Sequence, residues 1–434
     1  MAPTVSTPSD FEAATYRRVT RRLMPYLFFC YILAYLGRVN VSFAKLQMQQ
    51  DLRISDSVYG LGAGIFFIGY FFFEVPGNLI MQRVGARYWI GPIMMIWGVV
   101  SASTMLARGA TSFYALRFLL GVVESGFFPG VILYLTLWYP SRYRGRMVAV
   151  FMSAAAISGV VAGPISGWIL AGMGGAGHLA GWQWMFLIEG LPAVLVGLIT
   201  LFFLTDSPAT ATWLDADEKA LLVEQLREDD ESKKAGAGAN RRFSDAFRSI
   251  AVWLLAVVYF GLAAGNYGIS FWLPQLIKDD ITRDPLAIGW ITAIPWAAAA
   301  VLMIAVGRHS DTTGERRWHF ALSLFVVAAG FAASAAPGIP GVVRLAALSL
   351  AAIGIMAGFA VFWTLPTSIL SGTAAAAGIA WINSVGNLGG YVSPYVMGMM
   401  RDWKHTMTPG LLALAAMSLL AGLIALRVAR RRSD

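Results

Sequence analysis

The chain has 434 residues, 57% of them hydrophobic and 13% charged, with a formal net charge of +9 and a mean hydropathy of +0.63. A typical soluble domain is about a quarter charged, so a soluble enzyme, a disordered chain and a nucleic-acid-binding module are excluded as main readings. The basicity has to be explained by where the arginines sit.

Taken in chain order, windows of about 20 mostly apolar residues predict membrane helices near 24–47, 58–82, 88–107, 112–139, 146–172, 184–205, 250–276, 286–308, 318–336, 341–368, 373–400 and 408–428. Period-two alternation is absent, which argues against a β-barrel. The expected fold is an all-α membrane protein of twelve transmembrane helices. Its expected parts are an N-terminal segment (1–23), a six-helix half (24–205), a central loop (206–249), a second six-helix half (250–428) and a tail (429–434). The first span is not read as a cleaved signal peptide, because Arg38, Asn40 and Lys45 interrupt it and no small-residue cleavage site follows. The pairs Arg17–Arg18 and Arg21–Arg22 read as a basic flank. The central loop mixes charges from Asp215 to Glu228 and then loosens into Ala-Gly repeats, which predicts a surface helix followed by a flexible linker.

Of the 33 lysines and arginines, 23 fall on the side carrying both termini, seven on the other and three within spans. The positive-inside bias therefore predicts both termini cytoplasmic and accounts for the basicity without nucleic acid. Cys30 lies in an apolar run and reads as a small hydrophobe. The four histidines show no metal-ligand spacing, and neither a metal nor a cofactor is expected.

The halves share a motif. After the second span stand Gly77, Gln82, Arg83, Gly85 and Arg87; after the eighth stand Gly307, Asp311, Thr312, Gly314 and Arg316. Each copy carries an acid or amide, a glycine three residues on and an arginine two further, at the same place in both halves. This recurrence makes the halves pseudo-symmetric repeats. The loops are expected to gate.

Ionisable groups inside a bilayer are costly and mark function by default. Arg38 lies deep in the first span, and its planar fork suits a carboxylate. Arg117 and Glu124 are seven residues apart on one helix face, about 10 Å along the axis, too far for a direct pair. One role for Glu124 is to take up and release a proton, with Arg117 tuning it or binding substrate. Arg38, Arg117 and Glu124 in one cavity would make it net positive and favour an anion. Glu74, one turn before Gly77, reads as a gate or packing residue, and Glu189 is unassigned. The second half offers uncharged polar candidates for the substrate: Asn266, Tyr267, Trp363, Thr364, and Asn383 with Asn387 on one face. Pro366 is expected to break its helix near the site. The glycines of Gly159-Val-Val-Ala-Gly163-Pro164-Ile-Ser-Gly167 read as a close-packing surface.

The duplicated loop motif and the twelve-span layout resemble the major facilitator superfamily. The resemblance implies weaker salt bridges in the loops, because Gln82 and Thr312 stand where that superfamily usually has an acid and a base. Tyr35-Leu-Gly-Arg38-Val-Asn40, Phe73-Glu74-Val-Pro76-Gly-Asn78, Arg117 to Pro129, and Phe362-Trp-Thr-Leu-Pro366 resemble its anion:cation symporter family, nearest to bacterial tartrate-type organic-acid transporters. The resemblance implies that Arg38 and Tyr70, with Tyr35 beside them, contact the acid, and that Glu124, interacting with Arg117, couples protons. It also implies an acid immediately before Arg38, where this chain has Gly37. The expected function is secondary transport of a small organic anion with protons, not catalysis, by a monomer in the lipid bilayer. Uncoupled uniport or anion exchange is the alternative because of Gly37, and a non-transporting membrane sensor is a remote one. No phosphate-binding loop or hydrolase motif is present.

Overall fold

The computed structural model describes residues 10–236, 249–369 and 372–430, and among these the regular structure is entirely helical. The first half comprises α1 (Asp10–Val39), α2 (Val41–Asp51), α3 (Asp56–Val84), α4 (Ala86–Ser103), α5 (Ala110–Glu124), α6 (Phe127–Thr136), α7 (Ser141–Gly172) and α8 (Gly181–Phe203). The connecting helix α9 (Ala216–Gly236) follows. The second half comprises α10 (Ile250–Asp280), α11 (Pro285–Thr313), α12 (Arg317–Ser334), α13 (Gly341–Phe362), α14 (Thr364–Ile369), α15 (Gly372–Asn387), α16 (Gly389–Lys404) and α17 (Thr408–Arg430).

Eleven helical stretches among the described residues are long and apolar enough to cross a membrane. The remaining expected crossing, 373–400, is covered by α15 and α16, two 16-residue helices that meet at Leu388. The first helix starts at Asp10, so part of the segment expected to precede it is already helical. The central loop holds the expected surface helix, while residues 237–248, expected as the linker, lie outside the described residues.

Helix ends follow local chemistry. Ser55 caps α3 by accepting from Val58 N at 3.2 Å, and Asp284 caps α11 by accepting from the N–H groups of Leu286 and Ala287, with Pro285 at the first helical position. The motif glycines close helices: Gly85 (φ 92°) follows α3 and Gly314 (φ 68°) follows α11, in conformations open to glycine. Large apolar side chains such as Phe202, Val301 and Leu195 point outward, as a lipid solvent requires.

The halves meet along α3 with α16 and α7 with α11. Small residues permit both crossings. A Cβ on Gly163 would lie 2.4 Å from Gly289 O, and one on Gly60 would lie 2.2 Å from Pro394 O. The Gly159–Gly167 string is thus a packing face.

Four expected spans are each broken into two helices: the first at Asn40, the fourth at Ser125–Gly126, the tenth at Trp363 and the eleventh at Leu388. Each break adjoins residues singled out for their chemistry. At the first, the carbonyl of Arg38 is met by the Arg117 guanidinium at 3.4 Å, a side chain standing in for a backbone partner.

Candidate functional site

A cavity of about 680 Å³ lies between the halves. Its walls come from α1, α3, α6 and α7 on one side and from α10, α11, α13, α14 and α15 on the other, with the helix-break residue Trp363 among them. Ser141, Arg144 and Gly145, at the start of α7, lie at its mouth on the face that carries the chain ends. All nine residues expected to touch substrate line this cavity: Tyr35, Arg38, Tyr70, Asn266, Tyr267, Trp363, Thr364, Asn383 and Asn387. Two arginines, Arg38 and Arg144, are in the wall, and no carboxylate is.

Arg38 is the deep end of the site. Its Nε donates to Glu124 Oε1 at 3.0 Å, its Nη2 donates to the same oxygen, and its Nη1 donates to the Tyr267 hydroxyl at 3.1 Å. The guanidinium also stands over the rings of Phe66 and Tyr70. One cation is therefore shared between a carboxylate of the first half and a phenol of the second.

The expectation that Arg38, Arg117 and Glu124 together charge one cavity is corrected. Glu124 lies behind Arg38 and neutralises it, and neither Glu124 nor Arg117 is in the cavity wall. Arg117 is fully buried; its Nη2 reaches the carbonyls of Arg38 and Ala63 at 3.4 Å, while Nε and Nη1 have no hydrogen-bond partner among the described residues. It makes no hydrogen bond to Glu124. The physical reason is reach: Arg38, from another helix, meets the carboxylate sideways, whereas Arg117 is two turns away along the same axis.

Glu74 is buried and joins the halves. It accepts from Asn383 Nδ2 at 2.8 Å and from Ser384 Oγ at 3.0 Å. Asn383 therefore faces both the cavity and Glu74. The loop motifs are each closed within their own half. Arg87 pairs with Asp206, after α8, through its backbone N at 3.1 Å and Nε at 3.4 Å. Arg316 pairs with Asp311 at 2.6 Å. Arg87 of the first loop thus pairs with an acid from elsewhere in the chain. Arg83 is exposed, and Gly77 packs against Trp89 and Gly126.

The sequence reading passed over the opposite face. There Lys45 Nζ reaches Asp56 at 2.8 Å and Gln275 at 3.0 Å. Arg401 bridges Asp56 at 3.2 Å and Asp279 at 2.8 Å, and Asp402 accepts from the backbone N–H groups of Asp56 and Ser57. Lys278 Nζ donates to Leu46 O at 2.8 Å. This network ties α2 and α3 to α10 and α16 on the face away from the chain ends. An available signal was Lys45, a charge inside a span. Its partners could not be found that way, since they sit at helix ends far apart in sequence. Tyr31 was also missed, although it shares a helix face with Tyr35 and Arg38.

The profile of the Major Facilitator Superfamily matches residues 27–394. A protein of Agrobacterium vitis named for tartrate transport is 47% identical over 423 residues, covering 97% of this chain and 93% of its own. A protein of Pseudomonas putida named for metabolite transport, NicT, is 45% identical over 401 residues, covering 92% and 91%. Among solved structures, an inward-facing, unoccupied bacterial homologue of the human lysosomal transporter Spinster superposes with a TM-score of 0.74 at 17% identity, covering 98% of each chain. That likeness concerns the fold.

Proposed function

The chain belongs to the Major Facilitator Superfamily, and on that premise we propose that it imports a small organic carboxylate, tartrate or a related hydroxy or sugar acid, together with protons. The observation that carries this reading is the shared guanidinium: Arg38 lines the cavity while bound to Glu124. In a low-dielectric site one arginine cannot satisfy two carboxylates at full strength. A substrate carboxylate that takes Arg38 must displace Glu124, and the displaced carboxylate is left buried and unpaired unless it takes up a proton. Substrate and proton then bind together by competition for one cation.

The rest of the wall suits a hydroxy acid. Asn266 presents a buried Oδ1 with no partner among the described residues, an acceptor for a substrate hydroxyl. Tyr267 adds a phenolic hydroxyl already on Arg38, and Asn387 adds a carboxamide. The names of the Agrobacterium and Pseudomonas relatives support a small metabolite anion. With the chain-end face taken as cytoplasmic, by the lysine and arginine bias, the cavity opens inward and the Lys45–Asp56–Arg401–Asp279 network is the outer closure. Alternating access then exchanges that network for contacts on the terminal face.

The test is accumulation of radiolabelled tartrate and other hydroxy acids in proteoliposomes with and without an inwardly directed proton gradient. Accumulation that requires the gradient is expected. Transport that ignores it in the wild type assigns the chain instead to uniport or exchange.

A further inference from the structure

A second polar cluster lies outside the cavity, inside the first half. Glu189 of α8 is buried; its Oε1 accepts from Ser166 Oγ at 2.7 Å, and its Oε2 has no partner among the described residues. Beside it, within reach of the carboxylate, stands Asn40, at the α1–α2 break, neither of whose side-chain polar atoms makes a hydrogen bond of ordinary geometry among the described residues. Ser101 of α4 is also buried with an unpaired hydroxyl. Glu189's own helix crosses α4 at this level, where Gly98 and Gly190 let the backbones touch. Polar atoms without hydrogen bonds of ordinary geometry therefore lie where α8 meets the helices packed on it. The surroundings offer room as well: a Cβ on Gly37 would meet only Ser101 Oγ, at 3.8 Å.

Unpaired buried polar atoms are rare and costly, and a polar space with several partners holds water. A carboxylate has a further requirement, a cation or a proton. The elements packed on α8 bring Asn40, Ser101 and Ser166 toward Glu189, and no ionisable side chain from α1, α2, α4 or α7 pairs with it. A proton is what remains to neutralise it.

We infer that Glu189, with Asn40, Ser101 and Ser166, is a second, hydrated proton-binding site, and that its occupancy biases the helix break carrying Arg38. The link is geometric. Asn40 follows Arg38 by two residues, about 200° around the helix, so the break presents Arg38 to the cavity and Asn40 to the Glu189 pocket. Turning the break to release Glu124 from Arg38 also moves Asn40 against Glu189. The proton goes to the Glu189 carboxylate from pocket water and returns to that water, with no bond to substrate. This rests on the proton-coupled reading above but assigns a site that reading does not use.

The experiment measures opening of the terminal face without substrate. Ser141→Cys places a thiol at the cavity mouth, and the native Cys30 is buried. Its labelling rate by a maleimide is followed against pH in the full chain in nanodiscs, alone and with Glu189→Gln. The expected result is a pH-dependent rate whose profile flattens in part with Glu189→Gln and flattens further with Glu124→Gln added. Ser166→Ala, which keeps the carboxyl, is expected to shift the profile, and it serves as the test if Glu189→Gln does not fold. A profile that Glu189→Gln and Ser166→Ala leave unmoved overturns the inference. Failure of the coupling reading shows elsewhere, as wild-type accumulation indifferent to a proton gradient.

Discussion

The two halves share a fold and a loop motif but divide the chemistry unequally. The first half holds Arg38, Lys45, Glu74, Arg117, Glu124 and Glu189 within its helices, all but Arg38 classed as buried. The second half has no charged residue from 345 to 400, and it offers the cavity Asn266, Tyr267, Thr364, Asn383 and Asn387 instead. Duplicated scaffolds can thus specialise: one half holds the intramembrane charges, while the other lines the cavity with neutral hydrogen-bonding groups, which the proposed function assigns to the proton and to the substrate respectively. Polar contacts that join the two include Arg38 to Tyr267, Glu74 to Asn383, and Lys45 to Gln275.

The comparison breaks most readily at the first of these contacts. Glu124→Ala leaves Arg38 buried without its anion and is expected to cost about 3–5 kcal/mol of stability, read by thermal unfolding in detergent; an unchanged melting point would deny that the pair is closed. Glu124→Gln keeps the shape and is expected to permit substrate exchange while abolishing gradient-driven accumulation. It should also remove most of the pH dependence of binding, leaving the part that belongs to Glu189: in the wild type, affinity should fall as pH rises, because a deprotonated Glu124 competes with substrate for Arg38. Affinity as pH-dependent in this variant as in the wild type would place the competing proton elsewhere.

The next effect belongs to the neutral half. Asn383→Ala removes a donor from Glu74 and is expected to cost about 1–3 kcal/mol, with a change in substrate preference measured by competition uptake. Preference unchanged would confine Asn383 to the Glu74 seam. At the opposite face, Arg401→Ala removes the cation shared by Asp56 and Asp279, and thiol labelling of a cysteine in the cavity from that side is expected to rise several-fold, as about 1–2 kcal/mol of lost closure predicts. The smallest effect is expected at α9, where Asp229 pairs with Arg144 at 3.4 Å across the cavity mouth. Asp229→Ala should change stability by less than about 1 kcal/mol, and a larger loss in the thermal transition would make α9 part of the folded core.

Much of this was legible in one sequence because a bilayer imposes length and polarity on each helix. The spans, the division into halves and seven of the cavity residues follow from apolar runs and from polar residues interrupting them, while Tyr35 and Tyr70 were singled out by the family resemblance. The Arg38–Glu124 pair was not legible, since a helix-face argument relates residues of one helix, such as Arg117 and Glu124, and says nothing of a neighbour arriving from the side. Asp206 beside Arg87 was hidden for the same reason: 119 residues separate donor and acceptor.

The sequence by itself determined the membrane class, the all-helical fold, the repeat and the inventory of intramembrane charges, because each is set by local hydrophobicity or residue identity. Only the tertiary structure decided which charges meet, which of them face the cavity, where the long helices break and which face the ion-pair network ties. Those outcomes depend on helices crossing at glycine contacts and on the short range of an ion pair, where a few ångströms separate a neutralised arginine from a free one.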